Sequence, residues 1–189
     1  MTLKQTASQT IGPFFSYCLT PESYGHHGIA GPSLRRPGIA GEKIRIAGQL
    51  FDGANAPVAD ALIEIWQADA QGAYPTGTSA DGFSAFGRAA TNATGQFAFD
   101  TIKPGSVPGR GNAWQAPHVG IIILARGMLS HLYTRLYFAD EAEANAQDPV
   151  LSRVPADRRG TLIAQRDGDG TYRFDIRLQG DNETAFFDV

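Results

Sequence analysis

From Glu42 onward apolar residues alternate with polar or small ones. Ile44, Ile46 and Leu50 lead into a turn at Asp52-Gly53, and residues 61–67 then set Leu62, Glu64 and Trp66 against Ile63 and Ile65. A period of two places alternate side chains on opposite faces and predicts half-buried β-strands. Phe97 and Phe99 alternate after a turn at residues 92–95, and residues 131–138 and 172–178 do the same. Residues 118–125 are apolar on both faces, which predicts a strand in the interior of a sheet. The pattern predicts six or seven strands. Residues 141–146 and 157–165 are rich in helix formers and predict two short helices. Residues 1–40 carry no sustained period and read as an irregular N-terminal arm, leaving residues 41–189 as one β domain.

Composition sharpens this picture. Glycine (22) and proline (11) fall between short apolar runs, the punctuation of an all-β sandwich or barrel. A net charge of −3 leaves no basic footprint for nucleic acid or an anionic bilayer. The single cysteine, Cys18, excludes an internal disulfide framework and fits a reducing compartment. The longest apolar run, residues 119–125, is far short of the roughly twenty residues of a membrane span. With no secretory core at residues 1–6, the chain is expected to be soluble and cytoplasmic.

Candidate chemistry centres on four histidines and six tyrosines. His26 and His27 are adjacent in a glycine-flanked stretch, where their side chains diverge, and read as a solvated loop. His118 opens the apolar strand directly after Pro117 and reads either as a hydrogen-bonded structural residue or as a ligand. His131 shares an alternating face with Tyr133, Arg135 and Tyr137, which is a polar cavity wall or a solvent face. There is no serine nucleophile elbow, no Cys-His signature and no phosphate-cradling loop.

The strings EIWQADAQGAY (64–74), FGR (86–88), TIKPG (101–105) and APH (116–118) resemble the intradiol ring-cleaving dioxygenases. QTIGPF (9–14), Arg126-Gly127, TRLYF (134–138) and YRFDI (172–176) are similar to the α chain of a two-chain member. The resemblance implies a sandwich of two mixed β-sheets. It also implies ferric iron held by two tyrosines and two histidines, a donor set suited to a hard metal. Carried over by position, the ligands fall on Tyr74, Val107, His118 and Gly120, so two of the four donors are missing. Gln115 stands where the metal-binding chain has an arginine.

Accordingly this chain is expected to hold no iron itself. The resemblance implies that a homologous β subunit holds Fe(III), in an assembly of αβ pairs that adds O₂ to 3,4-dihydroxybenzoate and yields 3-carboxy-cis,cis-muconate. This chain would close the pocket with Thr10, Gly12, Pro13 and Arg126, whose guanidinium suits the substrate carboxylate. Read without the resemblance, Arg126 is a surface arginine with its stem on apolar ground. Two other readings stand beside this one. The first is a free-standing binding module with a decayed site; the second is a self-sufficient enzyme using Tyr74, His118 and His131. The arm's Phe14, Phe15, Tyr17 and Leu19, expected to be exposed, count against the first.

Overall fold

The computed structural model of the chain describes residues 16–75 and 83–188. Eleven strands are present among them: β1 (Lys43–Phe51), β2 (Leu62–Gln67), β3 (Phe86–Ala90), β4 (Gln96–Ile102), β5 (Val107–Pro108), β6 (Trp114–Gln115), β7 (His118–Leu124), β8 (Leu132–Phe138), β9 (Ile163–Arg166), β10 (Thr171–Arg173) and β11 (Ile176–Arg177). Two short helices accompany them, α1 (Ser16–Leu19) and α2 (Ala142–Gln147).

In one layer β1 pairs antiparallel with β4 and parallel with β10 and β11. In the other, β3, β2, β7 and β8 pair antiparallel in that order. β9 joins the layers, parallel to β8 and antiparallel to β10, so the two faces of the sandwich belong to one curled mixed sheet. The central placement of the 118–125 run holds, because β7 lies between β2 and β8.

The alternation read from the sequence is the alternation of burial. Ile44, Ile46 and Leu50, with Phe97 and Phe99 beside them on β4, pack with Ile63, Ile65, Val119, Ile121 and Ile123 of the other layer in the main core. Gln67, fully buried, ties the layers together: its Nε2 donates to the Ile102 carbonyl at 2.9 Å and its Oε1 accepts from Thr101 Oγ1 at 2.7 Å. Buried amides persist when every polar atom is matched in this way.

The expected helix at 141–146 is α2, but that at 157–165 is not a helix. Arg159–Leu162 form one 3₁₀ turn, and Ile163–Arg166 continue as β9 because parallel pairing with β8 satisfies their backbone. Propensity is a weak prior that such pairing overrides. Four short strands, β3, β5, β6 and β9, carry too little periodicity to be read in advance. Within the first forty residues, Leu34 and Ile39 are buried in the main core, and the backbone of residues 31–34 bonds to Arg88 and Asp100. His26, His27 and Tyr17 are exposed, as read, whereas Leu19 is half-buried; Phe14 and Phe15 lie outside the described residues. Among the described residues no helix is long and apolar enough to cross a membrane.

Candidate functional site

The outer face of the β3–β2–β7–β8 layer collects side chains that the core-facing register excludes. Strand register sets Glu64 opposite Arg88, Trp66 opposite both Phe86 and Gly120, Gly120 opposite Arg135, and His118 opposite Tyr137. Above them the loop carrying Tyr74 folds back. Asp69 organises that loop, its Oδ1 accepting from the amides of Gln71 and Ala73, both at 2.9 Å. Gly72 has a positive φ, and a Cβ there would overlap the Ser106 carbonyl oxygen. Only glycine tolerates both conditions and lets the two loops meet. Together these residues enclose a cavity of about 240 Å³ lined by Trp66, Tyr74, His118, Tyr133 and Arg135, with Glu64 and Ile122 at its wall.

Tyr74 and His118 are brought together. The Tyr74 hydroxyl and His118 Nε2 are 3.4 Å apart, and His118 Nδ1 lies 2.8 Å from the Ala116 carbonyl. A carbonyl only accepts, so Nδ1 carries the proton and Nε2 receives the phenol's. Burial, reinforced by the Arg135 charge, lowers the His118 pKa to about 4, and burial likewise raises that of Tyr74. At neutral pH the pair is therefore a neutral phenol and a neutral imidazole.

The other two ligand positions differ. Gly120 lines the cavity, but a Cβ there would lie 3.1 Å from the Tyr133 hydroxyl, so Tyr133 covers the space a side chain would enter. Val107 is buried in the β5–β6 hairpin opposite Gln115 and lies outside the cavity lining. Neither offers an oxygen or nitrogen donor from its side chain, so the residues present do not fit a four-ligand ferric site. Gln115 instead accepts a hydrogen bond from Arg135 Nη1 at 2.7 Å. Of the face read from His131 to Tyr137, Tyr133 and Arg135 form the cavity wall and Tyr137 is buried against Asp148, whereas His131 is exposed and outside it.

Asp148 was not singled out by its sequence. It is fully buried, and its carboxylate accepts from the amides of Ala116, Val150 and Leu151 and from the Tyr137 hydroxyl, fixing the approach to His118. The Asp148-Pro149 pair was its available signal, since aspartate before a turn commonly caps the amides two and three residues on. Arg126 lies beyond the opposite end of β7 from His118. It is exposed and paired with Asp60, Nε to Oδ1 and Nη2 to Oδ2 both at 3.2 Å. Thr10, Gly12 and Pro13 lie outside the described residues.

Two outcomes test this assignment. Tyr74→Phe should cost about 1 kcal/mol of stability or less, because it removes one long hydrogen bond; a loss above about 3 kcal/mol in denaturant titration would contradict that. For His118, a native pKa below the ordinary value means the unfolded chain takes the proton first, so stability falls as pH drops from about 6.5 toward 4. The slope is at most about 1.4 kcal/mol per pH unit. The stability difference between wild type and His118→Gln should shrink between pH 7 and pH 4.5; a constant difference would show that His118 titrates normally.

Comparison with known proteins places these features. Residues 32–180 match the family described as Dioxygenase. The chain is 45% identical, over all of its length and 99% of the other's, to the protocatechuate 3,4-dioxygenase alpha chain of Burkholderia cepacia. It is 31% identical to the beta chain from the same organism, over 84% of this chain and 73% of that one. Among solved structures, the dioxygenase domain of a dioxygenase carbohydrate-binding protein fusion from Streptomyces sp. SirexAA-E superposes with a TM-score of 0.61 at 28% identity, covering 82% of this chain and 89% of that one.

Proposed function

Because this chain belongs to the dioxygenase family, we propose that it is the non-metallated α chain of a protocatechuate 3,4-dioxygenase, an oxidoreductase built from α and β chains. The β chain holds the ferric iron, at which 3,4-dihydroxybenzoate reacts with O₂ to give 3-carboxy-cis,cis-muconate. This chain supplies the wall of that pocket. Residues 1–40 form the assembly arm, with Thr10, Gly12 and Pro13 against the substrate ring, and Arg126 meets the substrate carboxylate. Gly12 adds no side chain and Pro13 holds its own φ, so a backbone turn there can lie close to a planar ring. The αβ pairs associate further in the cytoplasm.

One observation carries this reading: side chains unable to bind iron occupy two ligand positions, and Tyr133 fills the space over one of them. A chain so arranged contributes through an interface. Co-expression with the homologous β chain tests the reading. The expected product is a complex of equal α and β content with one iron per pair, while this chain purified alone is colourless and iron-free. Iron bound stoichiometrically by the lone chain, or failure of the two chains to co-purify, would overturn it.

A further inference from the structure

Resting on the assignment of Arg126 to the substrate carboxylate, we infer that Asp60 is the positioning residue for Arg126 and holds its guanidinium in the orientation from which that carboxylate is met. Selectivity for carboxylated catechols is then built by two residues of this chain, of which Asp60 touches no substrate.

A surface arginine has several free torsions, and an incoming anion is bound only after most of that freedom is lost. The Arg126 side chain is 59% exposed, so packing does not hold it. Asp60 does. Nε meets Oδ1 and Nη2 meets Oδ2, both at 3.2 Å, which sets two planar groups edge to edge.

This contact positions Arg126 only if Asp60 is itself held, and the fold holds it from the opposite side. Thr91, buried just past β3, spans the turn that carries Asp60: its hydroxyl accepts from the Ala61 amide at 2.9 Å and donates to the Val58 carbonyl at 2.8 Å. The Thr91 backbone adds two more bonds, donating to the Ala61 carbonyl at 2.9 Å and accepting from the Asp60 amide at 3.3 Å. Asp60 has a φ of +54°, in the left-handed region that aspartate, asparagine and glycine enter most readily. Arg126 is fixed at its own backbone as well. It follows the buried Ala125, and the Met128 amide closes a turn on the Ala125 carbonyl at 3.3 Å.

An ion pair this exposed adds little to folding stability. Its contribution is direction: with Nε and Nη2 engaged, the Nη1–Nη2 edge remains for a second acceptor. The negative charge of Asp60 works the other way, since it repels a substrate carboxylate. Salt screens that repulsion at an exposed site, whereas the ordering of Arg126 acts at every encounter, so orientation wins.

Steady-state kinetics of the αβ complex, assembled with variants of this chain, tests the role. Asp60→Gly removes the carboxylate at a φ that glycine adopts freely, so the turn is kept. For protocatechuate kcat/KM should fall about fivefold, mainly through KM, while for catechol it should change less than about twofold. Asp60→Asn offers the guanidinium one acceptor in place of two and should fall between wild type and Asp60→Gly. In an Arg126→Ala background, Asp60→Gly should have no further effect, because its action passes through Arg126. If Arg126→Ala alters the protocatechuate-to-catechol ratio and Asp60→Gly does not, the inference is overturned and the assignment of Arg126 stands. If Arg126→Ala leaves that ratio unchanged, both fall together. A ratio raised by Asp60→Gly, or the same loss from it with and without Arg126, would also overturn the inference.

Discussion

A chain lacking residues 1–20 should fold, yet recover less than about a tenth of the β chain that the full chain recovers on co-purification, with activity lost in proportion. Folding should survive because the main core begins at Leu34. Among the described residues of the deleted segment, the Leu19 carbonyl accepts from Arg88 Nη1 at 3.4 Å. Tyr17 and Tyr24, 58% and 43% exposed, stack with centroids 4.2 Å apart. Exposed aromatic groups are characteristic of surfaces that partners cover. Circular dichroism of the truncated chain separates the two effects. Native folding with undiminished pairing and activity would remove the arm from assembly.

Arg126→Ala should lower kcat/KM for protocatechuate by about one to two orders of magnitude, while catechol, which lacks the carboxylate, should change less than about threefold. The bidentate pair with Asp60 explains how an exposed guanidinium is held in one orientation. Asp60 engages Nε and Nη2, which leaves the Nη1–Nη2 edge of the guanidinium for a further acceptor. That free edge matches a second carboxylate, and closing a β chain over it would strengthen the contact by excluding water. An exposed ion pair such as Arg126–Asp60 contributes at most about 1 kcal/mol by itself, so its loss leaves folding intact. Steady-state kinetics with both substrates decides the point. Equal losses for the two would assign Arg126 to holding the interface together.

The main strands were legible because a half-buried strand must alternate. Ile44, Ile46, Phe97 and Phe99 cannot be arranged otherwise without placing large apolar groups in water. Turns were legible where the chemistry is local, as at Asp52, whose carboxylate accepts from the amides of Ala54 and Ala56. Strand β9 was not, because Ile163–Arg166 acquire their conformation from a parallel partner remote in sequence. Local composition there favours a helix, and nothing nearby in the chain reports the pairing.

For the site, the amino-acid sequence by itself determined which donors exist. Valine at 107 and glycine at 120 have no side-chain atom to offer a metal, whatever the fold. Tertiary structure alone decided what replaced them. Register across β2, β7 and β8 brings Tyr133 over Gly120, sets Arg135 against Gln115, and gathers both beside Trp66 and His118. The same register carries Arg126 to the other end of β7, against Asp60. Chemical capacity is a property of single residues and can be read in order along a chain. Charge balance and packing arise between residues far apart in sequence, and they come into being only when the sheet brings those residues within a few ångströms.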